Sequence, residues 1–234
     1  MDAIYASVII PTLNESDNIE ELVVKINQGL DSGGIRHETI VVDDDSSDGT
    51  PTIVNKLSKK NPRNRLISRN RKEGFGSAIF DGFIKSKGDV IVTMDADFSH
   101  PPESIISLIK AVGDDDVVVG SRYIDGGKMN GPLYRKLLSQ IINRVIILIL
   151  DLKIHDCTGG FIALKREVFN SIGEIKAKSG DFSFEIIYKA KKAGFKIIEI
   201  PFVYEWRRKG KTKTNVLKFG YNYLKSAISL KWHS

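Results

Sequence analysis

The chain has one cysteine, Cys157, among its 234 residues, which excludes an internal disulfide framework and suits a reducing compartment. It also lacks a long apolar run, and nothing approaches the ~18–20 consecutive apolar residues that a membrane-spanning helix needs. No basic region followed by an apolar stretch opens the sequence, so no secretory leader is expected. Repeats, low-complexity tracts and linkers are missing as well. With 41% hydrophobic and 27% charged residues, such a chain is expected to bury a substantial core as a single domain over residues 1–234.

What is present is an alternation of short β-branched runs and amphipathic stretches. Tyr5 to Ile10 reads as a strand ended by Pro11, and Ile19, Leu22, Val23 and Ile26 then recur at helical spacing. Thr39 to Val42 reads as a second strand and Leu66-Ile67 as a third. Thr50 is placed to cap the helix between them, with Pro51 at its first position. A helix opening at Gly74-Phe75-Gly76 leads to a strand over Val90–Met94, a helix over Pro102–Val112 and a strand over Val117–Gly120. The second half predicts helices over Pro132–Leu150, Phe184–Ala193 and Val216–Leu230, with strands at Phe161–Leu164 and Lys196–Ile200. This spacing implies an α/β fold with a mostly parallel sheet flanked by helices, and in such sheets ligands bind at the C-terminal strand ends.

Two acidic loops fall at those ends. Asp43 to Gly49 leaves the second strand, and Asp95-Ala96-Asp97 leaves the strand at Val90–Met94. Carboxylates one residue apart on extended chain share a side and repel unless a cation lies between them. Hard cations such as Mg²⁺ or Mn²⁺ use one or two carboxylates and fill their shell with water and substrate phosphates. The bland alternative for the same residues is an acidic turn before Pro101-Pro102. The net charge is +6, and the densest basic block is Arg207, Arg208, Lys209, Lys211 and Lys213. That block suits a phosphorylated substrate, anionic lipid or nucleic acid, or a solvated face.

Taken together, three stretches resemble the inverting GT-A glycosyltransferases. They are Ser7 to Glu15 (SVIIPTLNE), Val41 to Thr50 (VVDDDSSDGT) and Met94 to Glu103 (MDADFSHPPE). More narrowly, they resemble dolichyl-phosphate mannose synthases and the related polyprenyl-phosphate glycosyltransferases. Val119 to Tyr123 (VGSRY), Asp156 to Phe161 (DCTGGF) and Arg207 to Lys213 (RRKGKTK) extend the likeness over nearly the whole chain.

The resemblance implies a Rossmann-like nucleotide-binding domain that moves a hexose, mannose favoured, from a nucleotide sugar, GDP-mannose favoured, to a polyprenyl or dolichyl phosphate. The alternative is a UDP-glucose or UDP-N-acetylglucosamine donor with a lipid-phosphate or saccharide hydroxyl acceptor. Pro11, Glu15, Val42, Asp44 and Ala96 would line the nucleotide pocket. Asp95 and Asp97 would hold Mg²⁺ or Mn²⁺, with Ser99 as a further ligand, directly or through a water. Arg122, Arg135, Arg207 and Lys213 would grip the acceptor phosphate, and Asp97, Arg122 and Arg207 would carry the catalysis.

A hydroxyl acceptor would instead need a carboxylate base, for which Asp156 and Glu185 are the candidates, and both could equally serve to orient the arginines. His100, followed by two prolines, reads as a turn-shaping residue, and His155 beside Cys157 is weak as a catalytic pair. A nucleotidyltransferase is disfavoured, because the loop after the first strand is Pro-Thr-Leu-Asn-Glu and not Gly-rich. A nucleic-acid partner is not expected, since it leaves the acidic strand ends without purpose. The helices over 132–150 and 216–232 mix apolar residues with lysines in a way that suits a bilayer interface or a membrane-anchored partner subunit. The expected location is the cytoplasmic face of a membrane, with peripheral attachment.

Overall fold

The computed structural model describes residues 5–206 and 216–233. In chain order, β1 (Ala6–Thr12) leads through α1 (Ile19–Ser32) to β2 (His37–Asp43), and α2 (Thr50–Lys60) leads to β3 (Asn64–Ser68). α3 (Phe75–Lys85) returns the chain to β4 (Val90–Thr93), and α4 (Ile105–Ala111) carries it to β5 (Val117–Ser121). The second half runs through β6 (Lys128–Met129), α5 (Leu133–Leu150), β7 (Ile162–Lys165), α6 (Arg166–Ile172) and α7 (Phe182–Lys192). It ends with β8 (Ile197–Pro201), β9 (Val203–Tyr204) and α8 (Val216–His233).

Seven strands form one sheet in the order β3-β2-β1-β4-β7-β5-β8, parallel throughout except for β7, which runs antiparallel to both neighbours. β1 sits near its middle and is buried along its whole length, as a strand covered on both faces must be. Period-2 alternation sorts its side chains. Val8 and Ile10 join Leu22, Ile26 and Leu108 on one face, while Ile9 joins Ile79 and Phe83 on the other.

Two local expectations give way. β1 continues through Pro11 to Thr12, because the β4 ladder ends opposite Ile9 and asks no amide hydrogen of Pro11. Thr50 does not cap α2. Asp48 accepts the Thr50 N–H and hydroxyl instead, and the Thr50 oxygen accepts the Glu15 N–H. The short parallel pair β6–β9 was not foreseen, and two-residue strands carry no readable period.

The two helices expected at an interface also pack inward. α5 buries Asn143, Ile146 and Leu150, and α8 buries Tyr223 and Ala227, the Tyr223 ring lying 5.4 Å from that of Phe184. Outward, α5 leaves Leu133, Tyr134, Leu137, Ile141 and Leu148 exposed, and α8 leaves Tyr221, Ile228 and Trp232 exposed. No helix among the described residues is long and apolar enough to cross a membrane.

Candidate active site

Because β1, β2, β4 and β5 point the same way, the loops at their C-terminal ends meet along one edge of the sheet. There they enclose a cavity of about 520 Å³. Pro11 and Glu15 reach it from β1, Asp44 from β2, Asp95, Ala96 and Asp97 from β4, Arg122 from β5, and Arg135 from α5. Val42 does not join them: its side chain is wholly buried beside Ile9, Ile40 and Phe83 in the core. Arg207 and Lys213 lie outside the described residues.

The β1–β2 side is tied by polar contacts. Glu15 accepts the Asn18 amide at 2.9 Å. Asp44 accepts Arg69 Nη1 at 2.9 Å, the Glu73 N–H at 2.9 Å and the Gly74 N–H at 3.0 Å. The buried Arg69 guanidinium also bonds Glu73 and Ser77 and pairs with Asp81 at 3.2 Å. Arg69 was missed in the sequence, where a lone arginine after a short strand carries no signal. α3 opens against the chain at 177–178, and a Cβ on Gly76 would stand 2.3 Å from the Ala177 carbonyl oxygen. Only glycine permits that approach.

The acid pair sits on a tight, strained turn. Phe98 has φ +64°, a region that bulky residues enter only when their surroundings hold them there. Asp97 Oδ1 accepts the Ser99 N–H at 3.1 Å, and the buried Ser99 hydroxyl donates to Asp95 Oδ2 at 3.3 Å. His100 is fully buried, with the Asp95 N–H on Nδ1 and the Gly159 carbonyl on Nε2, both at 3.0 Å. Burial pushes its pKa down to about 4 despite the opposing pull of Asp97. Tyr204 packs beside the pair, and burial together with the charges of Asp95 and Asp97 pushes its phenol up to about 12.

Among the described residues, no three His, Cys, Asp or Glu side chains form a metal cage. The two carboxylates around Ala96 are instead the donor set of a hard divalent cation that takes its other oxygens from phosphates and water. The residues present therefore fit Mg²⁺ or Mn²⁺ bound together with a diphosphate.

Across the cavity, Arg122 forms a planar fork with Asp156, Nε to Oδ2 at 2.7 Å and Nη2 to Oδ1 at 2.8 Å. Nη2 also donates to the Thr158 hydroxyl at 2.9 Å. Burial opposes the charge on Arg122, and the Asp156 carboxylate more than offsets it, so the guanidinium is held above its ordinary pKa. The fork leaves Nη1 with no hydrogen bond among the described residues. Arg135 lies over the Trp206 ring at 5.2 Å on the cavity rim.

Asp156 is thus committed to orienting Arg122. Glu185 orients no arginine and is absent from the cavity wall. It accepts the Lys176 and Ala177 N–H groups at 3.0 and 2.8 Å and pairs with Lys189. Cys157 is buried, which raises its thiol pKa well above the ordinary value, and His155 pairs with Glu199 at the surface. Thr158, Gly159 and Gly160 line the cavity as well. Their motif was recognised, but the way they reach the acid pair through His100 was not.

A parallel sheet with one inserted antiparallel strand, presenting an acid pair and a cationic wall at its strand ends, defines a GT-A glycosyltransferase. The chain belongs to glycosyl transferase family 2, which residues 7–173 match. It is 41% identical over 233 residues to a dolichol-phosphate mannosyltransferase of Pyrococcus furiosus, covering 97% of this chain and 64% of that protein. The chain thus spans just under two thirds of that relative's length. A polyprenol monophosphomannose synthase of Mycolicibacterium smegmatis is 35% identical over 214 residues, 88% of this chain and 79% of that one. Among solved structures, glucosyl-3-phosphoglycerate synthase from Mycobacterium tuberculosis, crystallised with Mn²⁺, UDP and glucosyl-3-phosphoglycerate, matches with a TM-score of 0.74. At 18% identity over 98% of this chain and 80% of that chain, this likeness shows the fold.

Proposed function

We propose that the protein transfers a mannosyl group from a nucleoside-diphosphate sugar, GDP-mannose favoured, to a polyprenyl or dolichyl phosphate with inversion at the anomeric carbon. The carrying observation is that Asp95 and Asp97 face Arg122 and Arg135 across one cavity, in a chain whose relatives are named for this transfer. Pro11, Glu15, Asp44 and Ala96 hold the nucleoside end. Asp95 and Asp97 would hold Mg²⁺ or Mn²⁺, and Ser99 steadies Asp95 through its hydroxyl. A cation held there would supply charge neutralisation for the departing nucleoside diphosphate.

Arg122, through Nη1, and Arg135 bind the acceptor phosphate, and Arg207 and Lys213 are assigned the same task from the sequence alone. The acceptor is already an anion at neutral pH and needs cations to approach the donor, not a strong base. The commitments of Asp156 to Arg122 and of Glu185 to backbone N–H groups support that reading over a hydroxyl acceptor.

A polyprenyl tail requires a nearby bilayer. The exposed apolar residues of α5 and α8, interspersed with Arg144, Lys225 and Lys231, support peripheral contact with the anionic cytoplasmic leaflet, alone or through a membrane-anchored partner. Absence of co-sedimentation with anionic liposomes at low salt would remove the lipid contact from the proposal.

The function is tested by transfer of radiolabelled sugar from GDP- and UDP-sugars into organic-extractable lipid, with dolichyl phosphate and Mg²⁺ or Mn²⁺. Metal-dependent label from GDP-mannose is expected, and Asp97→Ala should reduce it at least ~10³-fold, the equivalent of several kcal/mol of lost transition-state stabilisation. Label appearing only in water-soluble product would overturn the acceptor assignment.

A further inference from the structure

His100 was expected to do no more than shape a turn, yet its ring is hydrogen-bonded both to the acid-pair turn and to the glycine loop beside Arg122. The Asp95 N–H donates to Nδ1, so that nitrogen carries no proton, and the neutral ring must hold its hydrogen on Nε2, where it donates to the Gly159 carbonyl. The ring has no solvent exposure. It stacks on Phe161 with centroids 4.7 Å apart and planes 12° apart, and meets Phe202 and Tyr204 edge-on. Neither ring nitrogen is exposed to solvent.

Gly159 follows Thr158, whose hydroxyl accepts from Arg122, and the Thr158 N–H returns to Asp156. The Thr93 hydroxyl adds a parallel tie from β4 to the Gly160 carbonyl at 2.7 Å. On the other side, the bond from His100 back to Asp95 closes the turn that holds Phe98 at positive φ. A backbone strained in this way keeps its shape only while such bonds over-determine it.

We propose that His100 is a positioning residue that sets the distance between the cation-holding carboxylates and the phosphate-gripping arginine, acting through its two ring nitrogens as a rigid strut in one fixed tautomer. The inference rests on the roles assigned above to Asp95 and Arg122. Outer-shell partners of this kind typically cost about 10- to 100-fold in metal affinity or activity when removed. The strut has two separable ends. Asparagine places an acceptor where Nδ1 stands but does not reach Gly159, glutamine places a donor where Nε2 stands but abandons Asp95, and phenylalanine keeps the ring and loses both bonds.

The test measures Mn²⁺ affinity in the presence of GDP by electron paramagnetic resonance, and the KM for dolichyl phosphate, in His100→Asn, His100→Gln and His100→Phe. Each variant is checked for a cooperative melt. His100→Phe should weaken both quantities about tenfold, His100→Asn chiefly the acceptor KM, and His100→Gln chiefly the Mn²⁺ affinity. Both quantities within about twofold of the parent in folded His100→Phe would overturn the strut, as would equal changes in the Asn and Gln variants.

Nitrogen-15 spectra of the parent imidazole give a readout independent of turnover. Protonation on Nε2 is expected, and an Nδ1–H tautomer would overturn the inference. Failure of the parent protein to transfer mannose or bind Mn²⁺ with GDP would instead fault the functional proposal, leaving the tautomer to be read by itself.

Discussion

On the β1–β2 wall of the cavity, Asp44 is held by a buried arginine and two backbone N–H groups, and the strands beneath it are buried end to end. On the α5 rim, Tyr134, Leu137 and Trp206 stand exposed around Arg135, while the neighbouring Arg122 is held by the Asp156 carboxylate and the Thr158 hydroxyl. The wall keeps its shape through redundant bonds of its own. The rim leaves apolar surface uncovered, and its buried charge depends on the Arg122–Asp156 pair. A ligand with a fixed polar outline, such as a nucleotide, suits the first, whereas a phosphate carried on a long apolar tail suits the second.

The largest expected effect tests that asymmetry directly. Asp156→Ala strands the buried Arg122 charge and should cost about 3–5 kcal/mol in urea unfolding. Asp44→Ala should cost less, about 1–3 kcal/mol, because Glu73 and Asp81 still hold Arg69. Equal losses would erase the distinction between wall and rim.

Glu185→Gln comes next. It can satisfy only one of the two N–H groups that the carboxylate accepts, so a loss of about 1–3 kcal/mol is expected. Transfer should stay within about tenfold of the parent, and a drop of 10²-fold or more would make Glu185 a base and revive a hydroxyl acceptor.

The smallest effect is on the wall. Burial alone would raise the Asp48 pKa, but hydrogen bonds from Thr50 and Ser16 outweigh it and lower it to about 2 from 3.8. Its stabilising contribution is therefore present above pH ~4 and lost as pH falls toward ~2. Chemical denaturation across that window should show a shallower acid loss in Asp48→Asn, and an unchanged slope would remove Asp48 from the wall's support.

Much of the site was legible because its residues sit where local pattern changes. A β-branched run that stops at Asp-Ala-Asp marks a strand end, and alternating strands and helices put such ends on one edge. Val42, expected at the nucleotide pocket, has its side chain in the core for a related reason. It adjoins the acidic loop, but it is still inside β2, where strand alternation turns its side chain into the core. Arg69 and His100 were undervalued because their importance lies in partners 25 and 59 residues away.

The sequence alone determined the α/β alternation, the parallel majority of the sheet, the acid pair at the end of β4 and the family. All of these follow from period, turn chemistry and short motifs, which act between near neighbours. Only the tertiary structure decided that β7 slots antiparallel between β4 and β5, which brings Asp156 to Gly160 against both Arg122 and His100. Hydrophobic period tells a strand which face to bury and says nothing of which neighbour it will have. That choice comes from packing the whole chain at once, and it joins the acid pair to the arginine.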